Sequence, residues 1–295
     1  MHPTLQSLVP ASSRAAVEAL LAAPPTSLID AGELAGDEES QVVALCVLAA
    51  AAPELSPVLN AGLHWLSTRL LSISEANQGR YWHLRGVAAA RERDFLRATV
   101  SMNRALSLSA PSYRPRVHDS FGRLLQSQGL VEEARVEYRT ALSLREADEE
   151  GAALTWGNLA RLELENGHWL AARDAFQKDH DIVLRKSPDA LRLRAQLLTH
   201  LGECERGLGN HKGALSYFER ARQIAEQAGD TFGHVIATVN QARELVHLRP
   251  SAAGPMLASV EAHIATVAPA QRLTLLALLE VTRAEHAAME QRTLD

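Results

Sequence analysis

The chain has 295 residues, of which 49 are alanine and 45 are leucine, whereas only 4% are aromatic. This excess of helix-forming over strand-forming residues excludes a β-sandwich or barrel and argues against a sheet-centred enzyme. The 46% hydrophobic content excludes intrinsic disorder, and the formal net charge of −5 argues against a nucleic-acid-binding protein.

We expect no secretion signal and no membrane-spanning segment in this sequence. The N-terminus has no charged segment followed by an apolar core. The longest apolar run, 42–52, stops at Pro53 and is too short to span a bilayer. We therefore expect a cytoplasmic protein with no membrane partner, and its arginine- and alanine-rich composition suggests a bacterial source.

The first segment, 1–41, is predicted to form an N-terminal helical cap and a loop. Ser12 or Ser13 is suited to begin a helix that runs to Ala22. The stretch 23–39 contains two prolines and two glycines, and we expect it to be mostly loop.

The rest of the chain contains a repeated pattern. A small residue is followed by alanine twelve positions later, a bulky residue four positions further on, and another small residue three positions beyond that. Weaker copies begin at Ala49 and Ala242. The four clear copies, the third of which ends in an aspartate, are Gly86, Ala98, Met102, Ala105; Gly122, Ala134, Tyr138, Ala141; Ala160, Ala172, Phe176, Asp179; and Gly202, Ala214, Phe218, Ala221.

Each copy predicts a helical hairpin, because its apolar residues recur at intervals of three and four. In the second copy we expect helices at about 116–128 and 132–144, separated by Gly129. Gly167 and Gly209 hold the same position in the next two copies. A glycine there permits the left-handed backbone that ends a helix.

The repeats resemble the tetratricopeptide repeat family, most clearly at 158–177 (NLARLELENGHWLAARDAFQ) and 201–221 (LGECERGLGNHKGALSYFERA). Their spacing exceeds the usual length of about 34 residues, and is similar to the longer repeats of kinesin light chain and of bacterial peptide-sensing regulators. The resemblance implies an all-α solenoid of helical hairpins in a right-handed superhelix. The array of about five to six repeats would cover 42–262, with the best copies at 79–228.

The C-terminal segment, 263–295, is predicted to be an apolar helix that caps the array, because repeat arrays need atypical ends that cover their core. The alternative is a dimerisation helix, which would make the protein a homodimer. If the protein is instead a structural subunit of a larger assembly, Leu273, Leu276 and Leu279 are the residues expected to carry its contact.

No phosphate-binding loop, dinucleotide fingerprint, zinc-protease motif or nucleophile elbow occurs. We therefore predict no enzyme, no catalytic residue, no metal and no cofactor. Cys204 follows His200 by one helical turn but occupies a packing position, and Cys46 is expected in the core. His180 lies between two aspartates, and we interpret it as a solvated helix end rather than as a base–carboxylate pair.

The resemblance places the first helix of each hairpin on the inner wall of a groove. The face opposite the buried one carries seven arginines and three acidic residues, so this acidic protein is predicted to have a positively charged groove. Arginine binds carboxylates as a rigid fork, and asparagines at this place in the family contact the backbone of an extended peptide. The predicted ligand-binding residues are Arg80, Arg116, Arg123, Asn158, Arg161, Arg206, Asn240 and Arg243.

The favoured function is a non-catalytic adaptor or scaffold that holds an acidic peptide or partner-protein segment in this groove. Alternatively, the arginines pair along their own helices, for example Arg123 with Asp119 and Arg206 with Glu203. A second functional class is a regulatory sensor subunit that acts through protein–protein interaction. Direct nucleic-acid binding is not expected, because no N-terminal helix-turn-helix pattern is present. A structural subunit that uses its convex face or its last helix is a further possibility.

Overall fold

The computed structural model describes residues 8, 9, 13, 15, 17, 18, 37–145, 147–265 and 267–294. By their internal contacts the residues fall into two compact units, Met1–Gly151 and Ala152–Asp295. Most of the predicted helix from Ser12 or Ser13 and most of the predicted loop lie outside the described residues. The predicted boundaries of the array at 42 and 262 stay predictions.

All regular structure in the described ranges is helical, which confirms the predicted all-α class. Within the part of the chain that the structure describes, six pairs of helices follow one another and a last helix follows the sixth pair. A short 3-10 helix, Pro53–Leu55, joins the first two helices. The helices are α1 (Glu38–Ala51), α2 (Ser56–Ser67), α3 (Glu75–Arg91), α4 (Phe95–Leu108), α5 (Arg114–Ser127), α6 (Val131–Ser143), α7 (Glu149–Glu165), α8 (Trp169–Lys186), α9 (Leu191–Gly207), α10 (His211–Gln227), α11 (Thr231–Leu248), α12 (Pro250–Ile264) and α13 (Pro269–Leu294).

The helices α5 and α6 confirm the two helices predicted in the second copy, and their ends differ from the predicted ends by one or two residues. The turns between the paired helices use the predicted glycines. Gly129, Gly167 and Gly209 have φ values of +76°, +73° and +76°, in the left-handed region where glycine carries no steric penalty. In the first copy the same place is held by Arg93, whose φ is 61°. A side chain in this conformation is strained.

The small residues of the pattern let paired helices approach closely, as predicted. A Cβ atom added at Gly122 would lie 2.7 Å from the ring of Tyr138, and one added at Gly202 would lie 2.6 Å from the ring of Phe218. Both rings are fully buried. In these two copies the bulky residue therefore fills the space that the glycine leaves, and the pair closes only because the glycine has no side chain.

The helix α13 covers the end of the second unit. Leu275 and Leu279 are fully buried in a cluster with residues of α11 and α12. The prediction that Leu279 belongs to an exposed contact surface is therefore wrong. The choice between a capping and a dimerisation helix stays a prediction. Leu273 and Leu276 are exposed, at 77% and 41%. No described helix has the length and apolar character that crossing a membrane requires.

The N-terminal end of α1 corrects one detail of the sequence analysis. The predicted loop extended to Glu39, whereas the helix begins at Glu38. Asp37 caps it, because its carboxylate accepts a hydrogen bond from the backbone N–H of Ser40 at 2.9 Å.

Candidate functional site

In the first unit, a buried histidine joins the first helices of two neighbouring hairpins. His83 of α3 lies 2.9 Å through Nδ1 from the hydroxyl of Tyr113, and 2.8 Å through Nε2 from the hydroxyl of Ser120 on α5. Burial, together with the charges of Arg123 and Arg116, lowers the pKa of His83 to about 3. At neutral pH the imidazole is therefore uncharged, and hydroxyl groups satisfy both of its nitrogens.

Three predicted site residues surround this histidine. The guanidinium carbon of Arg80 lies 5.2 Å from the centre of the Tyr113 ring, and that of Arg116 lies 6.0 Å from it. Arg123 donates a hydrogen bond from Nη2 to the hydroxyl of Ser120 at 3.2 Å. We call this group the Tyr113 cluster; it consists of Arg80, His83, Tyr113, Arg116, Ser120 and Arg123.

Arg123 is the exposed member of the Tyr113 cluster. Among the described residues, no carboxylate forms an ion pair with it. Asp119, the acid considered as its partner, is buried and is bound instead by Arg145 at 2.5 Å. Arg145 also pairs with Asp148, at 2.5 Å. Arg145 thus neutralises the charge of Asp119 inside the unit. Because Asp119 does not pair with Arg123, the positive charge of Arg123 is available to a ligand.

In the second unit, Arg206 belongs to a network with buried acceptors. Its Nε donates to Glu244 at 2.5 Å and its Nη2 donates to the side-chain oxygen of Asn240 at 2.7 Å. The second oxygen of Glu244 lies 2.8 Å from Nδ1 of His211. Both Glu244 and Asn240 are buried. Arg206 therefore pairs with α11, whereas Glu203, the partner considered on its own helix, lies 2.9 Å from Nδ1 of His200.

Arg243 is tied to the last helix of the chain. Its Nε and Nη2 donate to the two oxygens of Glu285 at 2.7 and 2.5 Å, in the two-pronged geometry that arginine forms with a carboxylate. These hydrogen bonds raise the pKa of Arg243 above its ordinary value. Glu285 lies on α13, so the last helix supplies the counter-charge for this arginine.

The remaining two predicted site residues are neighbours on α7. Arg161 is exposed and donates from Nη2 to the side-chain oxygen of Asn158 at 2.8 Å. Asn158 is half-buried, and its amide nitrogen has donors to offer a ligand. The predicted ligand-binding residues belong to both units, and the groove that they would line stays a prediction.

A buried acid on α8 was missed as a feature of interest by the sequence analysis. Asp179 occupies the position where the other clear copies have alanine, and it is only 6% exposed. Burial raises its pKa to about 7, although the charge of His200 acts in the opposite direction. The signal in the sequence was the departure from the repeat pattern itself.

His180 beside it corrects a second expectation. His180 is 7% exposed, and burial lowers its pKa, so it is not a solvated helix end. Its Nδ1 lies 3.7 Å from the carboxylate of Asp181, beyond a normal hydrogen bond. The base–carboxylate alternative therefore has no support in this geometry either.

The cysteines lie where the sequence analysis placed them. Cys46 and Cys204 are both fully buried and unpaired, and burial raises the pKa of each thiol to about 12. His200 binds Glu203 through Nδ1 at 2.9 Å. Over the ranges that the structure describes, no group of three or more His, Cys, Asp or Glu side chains is arranged to hold a metal ion.

Comparison of the sequence with known families and with curated proteins found no match. Comparison of the fold found similar solved structures. The apo form of RapI has a TM-score of 0.67 at 13% identity, over 90% of this chain and 76% of that one. Aspartyl phosphate phosphatase F from Bacillus subtilis has a TM-score of 0.62 at 15% identity, over 96% and 78%.

A Rap protein complexed with competence and sporulation factor has a TM-score of 0.54 at 12% identity, over 97% of this chain and 90% of that one. At these identities the likeness concerns the fold alone. The structures matched include tetratricopeptide-repeat proteins, in agreement with the hairpins, the turn glycines and the packed small residues described above. This chain has the tetratricopeptide-repeat fold.

Proposed function

We propose that the protein is a non-catalytic binding module that holds an acidic peptide or partner-protein segment against the first helices of its hairpins. The observation that carries this proposal is the convergence of Arg80, Arg116 and Arg123 around Tyr113 and the buried His83. The lowered pKa of His83 supports it, because two of these arginines contribute to a local positive potential.

A second proposed group of binding residues lies on α7 in the second unit and includes an exposed arginine. Arg161 and the half-buried Asn158 offer a cation and an amide, which together suit a carboxylate and a peptide backbone. Arg206 and Arg243 face carboxylates of this chain. A ligand acid would therefore have to compete with Glu244 or Glu285, and we assign these two arginines, with Asn240, a secondary part in binding.

The first experiment measures charge selectivity at the Tyr113 cluster. Fluorescein-labelled hexaglutamate and hexalysine are titrated with the protein, and fluorescence anisotropy is recorded at low salt. We expect the wild type to bind hexaglutamate. The variant Arg123→Glu should bind it about tenfold or more weakly, since a repulsive contact replaces a charge-assisted one. Arg139→Glu is the matched control, because Arg139 is exposed on the second helix α6.

Equal weakening by both reversals would refute a specific role for the cluster, since only the net charge would then matter. The natural partner is sought by affinity capture with the wild type and with the double variant Arg123→Glu, Arg161→Glu. Arg243 is left unchanged, because reversal there would place two carboxylates against each other. A protein captured equally by both baits would contradict binding through these arginines.

The second candidate function is a regulatory sensor subunit. It is favoured by the long repeats and by the likeness to a Rap protein solved with competence and sporulation factor. A sensor of this kind would change its conformation when a ligand binds, whereas an adaptor would not need to. Small-angle scattering with and without a captured ligand separates the two, because a sensor would become more compact. A cytoplasmic location fits both candidates, and two buried, unpaired cysteines are compatible with it.

A further inference from the structure

The second unit contains a cleft of about 450 Å³ formed by α10, α11 and α12. This volume is within the range of small-molecule sites in proteins. Its wall uses a different face of α11 from the arginine-bearing one described above, so the argument does not depend on the proposed function. The lining residues that matter here are Arg222, His234, Gln241, Met256, Val260 and His263.

One buried polar atom of the cleft wall has no partner among the described residues. Gln241 is 9% exposed, and its side-chain oxygen is buried without a hydrogen bond. A buried carbonyl oxygen left unpaired is costly, so native proteins pair it with a donor from protein, water or ligand. This oxygen is almost fully covered by protein atoms, so the Gln241 amide would turn toward the cleft to let an N–H group of a ligand satisfy it.

The cleft has one strongly cationic side chain. The guanidinium of Arg222 is 29% exposed, and its nearest acid, Glu226, is 3.7 Å away and 67% exposed, so this ion pair is weak. Burial and the charge of Arg222 lower the pKa of His234, which keeps that imidazole neutral at pH 7. The imidazole of His263 lies 6.1 Å from it and donates from Nδ1 to the backbone oxygen of Ser259.

The rest of the wall is apolar, with Met256, Val260 and Val235 among its residues. An acceptor, a cation and an apolar wall together suit one kind of ligand. We propose that this cleft binds a small organic carboxylate that carries an amide or amine N–H and an apolar side chain, as a free amino acid or the C-terminal residue of a peptide does. The carboxylate would contact Arg222 and the N–H would contact Gln241.

The experiment uses the full chain labelled with ¹³C at its methionine methyl groups. The Met256 methyl reports on the cleft, and the Met102 methyl reports on the other unit. N-acetyl-leucine is the probe, and N-acetyl-leucinamide, which lacks the carboxylate, is the comparison ligand. Free leucine and the dipeptide glycyl-leucine distinguish an amino acid from a peptide terminus.

We expect N-acetyl-leucine to shift the Met256 signal saturably at millimolar concentration and to leave Met102 unchanged. The wild type should bind the amide at least tenfold more weakly than the acid. Arg222→Gln should bind the acid at least tenfold more weakly than the wild type does, because the same charge-assisted contact is lost in both cases. Arg220→Gln, on the same helix but outside the cleft wall, is the matched control and should bind as the wild type does.

Three results would overturn the proposal. The first is an unchanged Met256 signal, which would mean that the cleft holds water only. The second is equal binding of the acid and the amide by the wild type. The third is equal binding of the acid by Arg222→Gln and by the wild type. Gln241→Leu gives a second check, because removal of the acceptor should weaken the acid and the amide alike. None of these results bears on the Tyr113 cluster, so failure here is distinguishable from failure of the adaptor proposal.

Discussion

The buried acid Asp179 gives the sharpest test of how this repeat protein tolerates a departure from its own pattern. We expect Asp179→Asn to stabilise the protein at pH 8 and to have little effect at pH 4. Burial raises the pKa of Asp179 from its ordinary value of 3.8 to about 7. The folded state therefore binds a proton more tightly than the unfolded state, and the wild type loses stability as the pH rises from about 4 to 7.

The size of the effect follows from the two pKa values. A displacement from 3.8 to about 7 corresponds to about 4 kcal/mol in the free energy of unfolding once the acid is ionised in both states. Local relaxation and water entry reduce such penalties, so we expect roughly 2 to 4 kcal/mol between variant and wild type at pH 8. Below pH 4 the acid is protonated in both states and the difference should approach zero.

The assay is urea unfolding followed by circular dichroism at several pH values between 4 and 8. Asp174→Asn is the matched control, since Asp174 lies on the same helix α8 with a side chain that is 62% exposed. Asp179→Ala, which installs the residue of the other clear copies, should follow the asparagine variant. Parallel stability curves for wild type and Asp179→Asn across this pH range would refute the reasoning.

The remaining predictions concern the turns, the packed glycines and the thiols. Arg93→Gly should stabilise the protein by about 0.5–1 kcal/mol in urea unfolding, because it removes the steric strain of a side chain at a left-handed backbone position. The reciprocal Gly129→Arg should destabilise it by about 1–2 kcal/mol. A gain in stability from both variants would contradict the role given to the backbone conformation. Gly202→Ala should cost about 1–3 kcal/mol, since its Cβ would collide with the facing aromatic ring, and an unchanged midpoint would show that the helices can separate. Cys46 and Cys204 should not react with an aromatic disulfide reagent at pH 8 until the chain unfolds, because both are buried and have raised pKa values; rapid labelling of the native protein would place a thiol at the surface.

The hairpins could be predicted from the sequence because their determinants are local. A turn glycine such as Gly129 and a small residue such as Gly122 leave a signature at a fixed spacing, whatever lies elsewhere in the chain. The helix α5 begins at Arg114, two residues before the predicted start, because Pro115 is tolerated in the first turn of a helix. Local patterns therefore gave the elements and their approximate ends.

The candidate site could be predicted only in part, because its charges are balanced over long separations. The residues of the first helices were identified, but the partners of Arg206 and Arg243 are 38 and 42 positions away. Periodicity within a helix indicates which face a residue occupies, but it does not indicate which side chain of the next hairpin reaches it. Arg145 was missed for the same reason, since it lies in a turn and binds Asp119 from there.

The ion pair between Arg243 and Glu285 gives the last helix a second consequence beyond covering apolar surface. A protease that trimmed the chain before Glu285 would remove the only carboxylate that Arg243 contacts with two hydrogen bonds in the described ranges. The shortened product would carry one more uncompensated positive charge on α11. C-terminal processing of this protein would thus alter its surface potential at a defined position, and a phosphate-bearing or acidic molecule would respond to the difference.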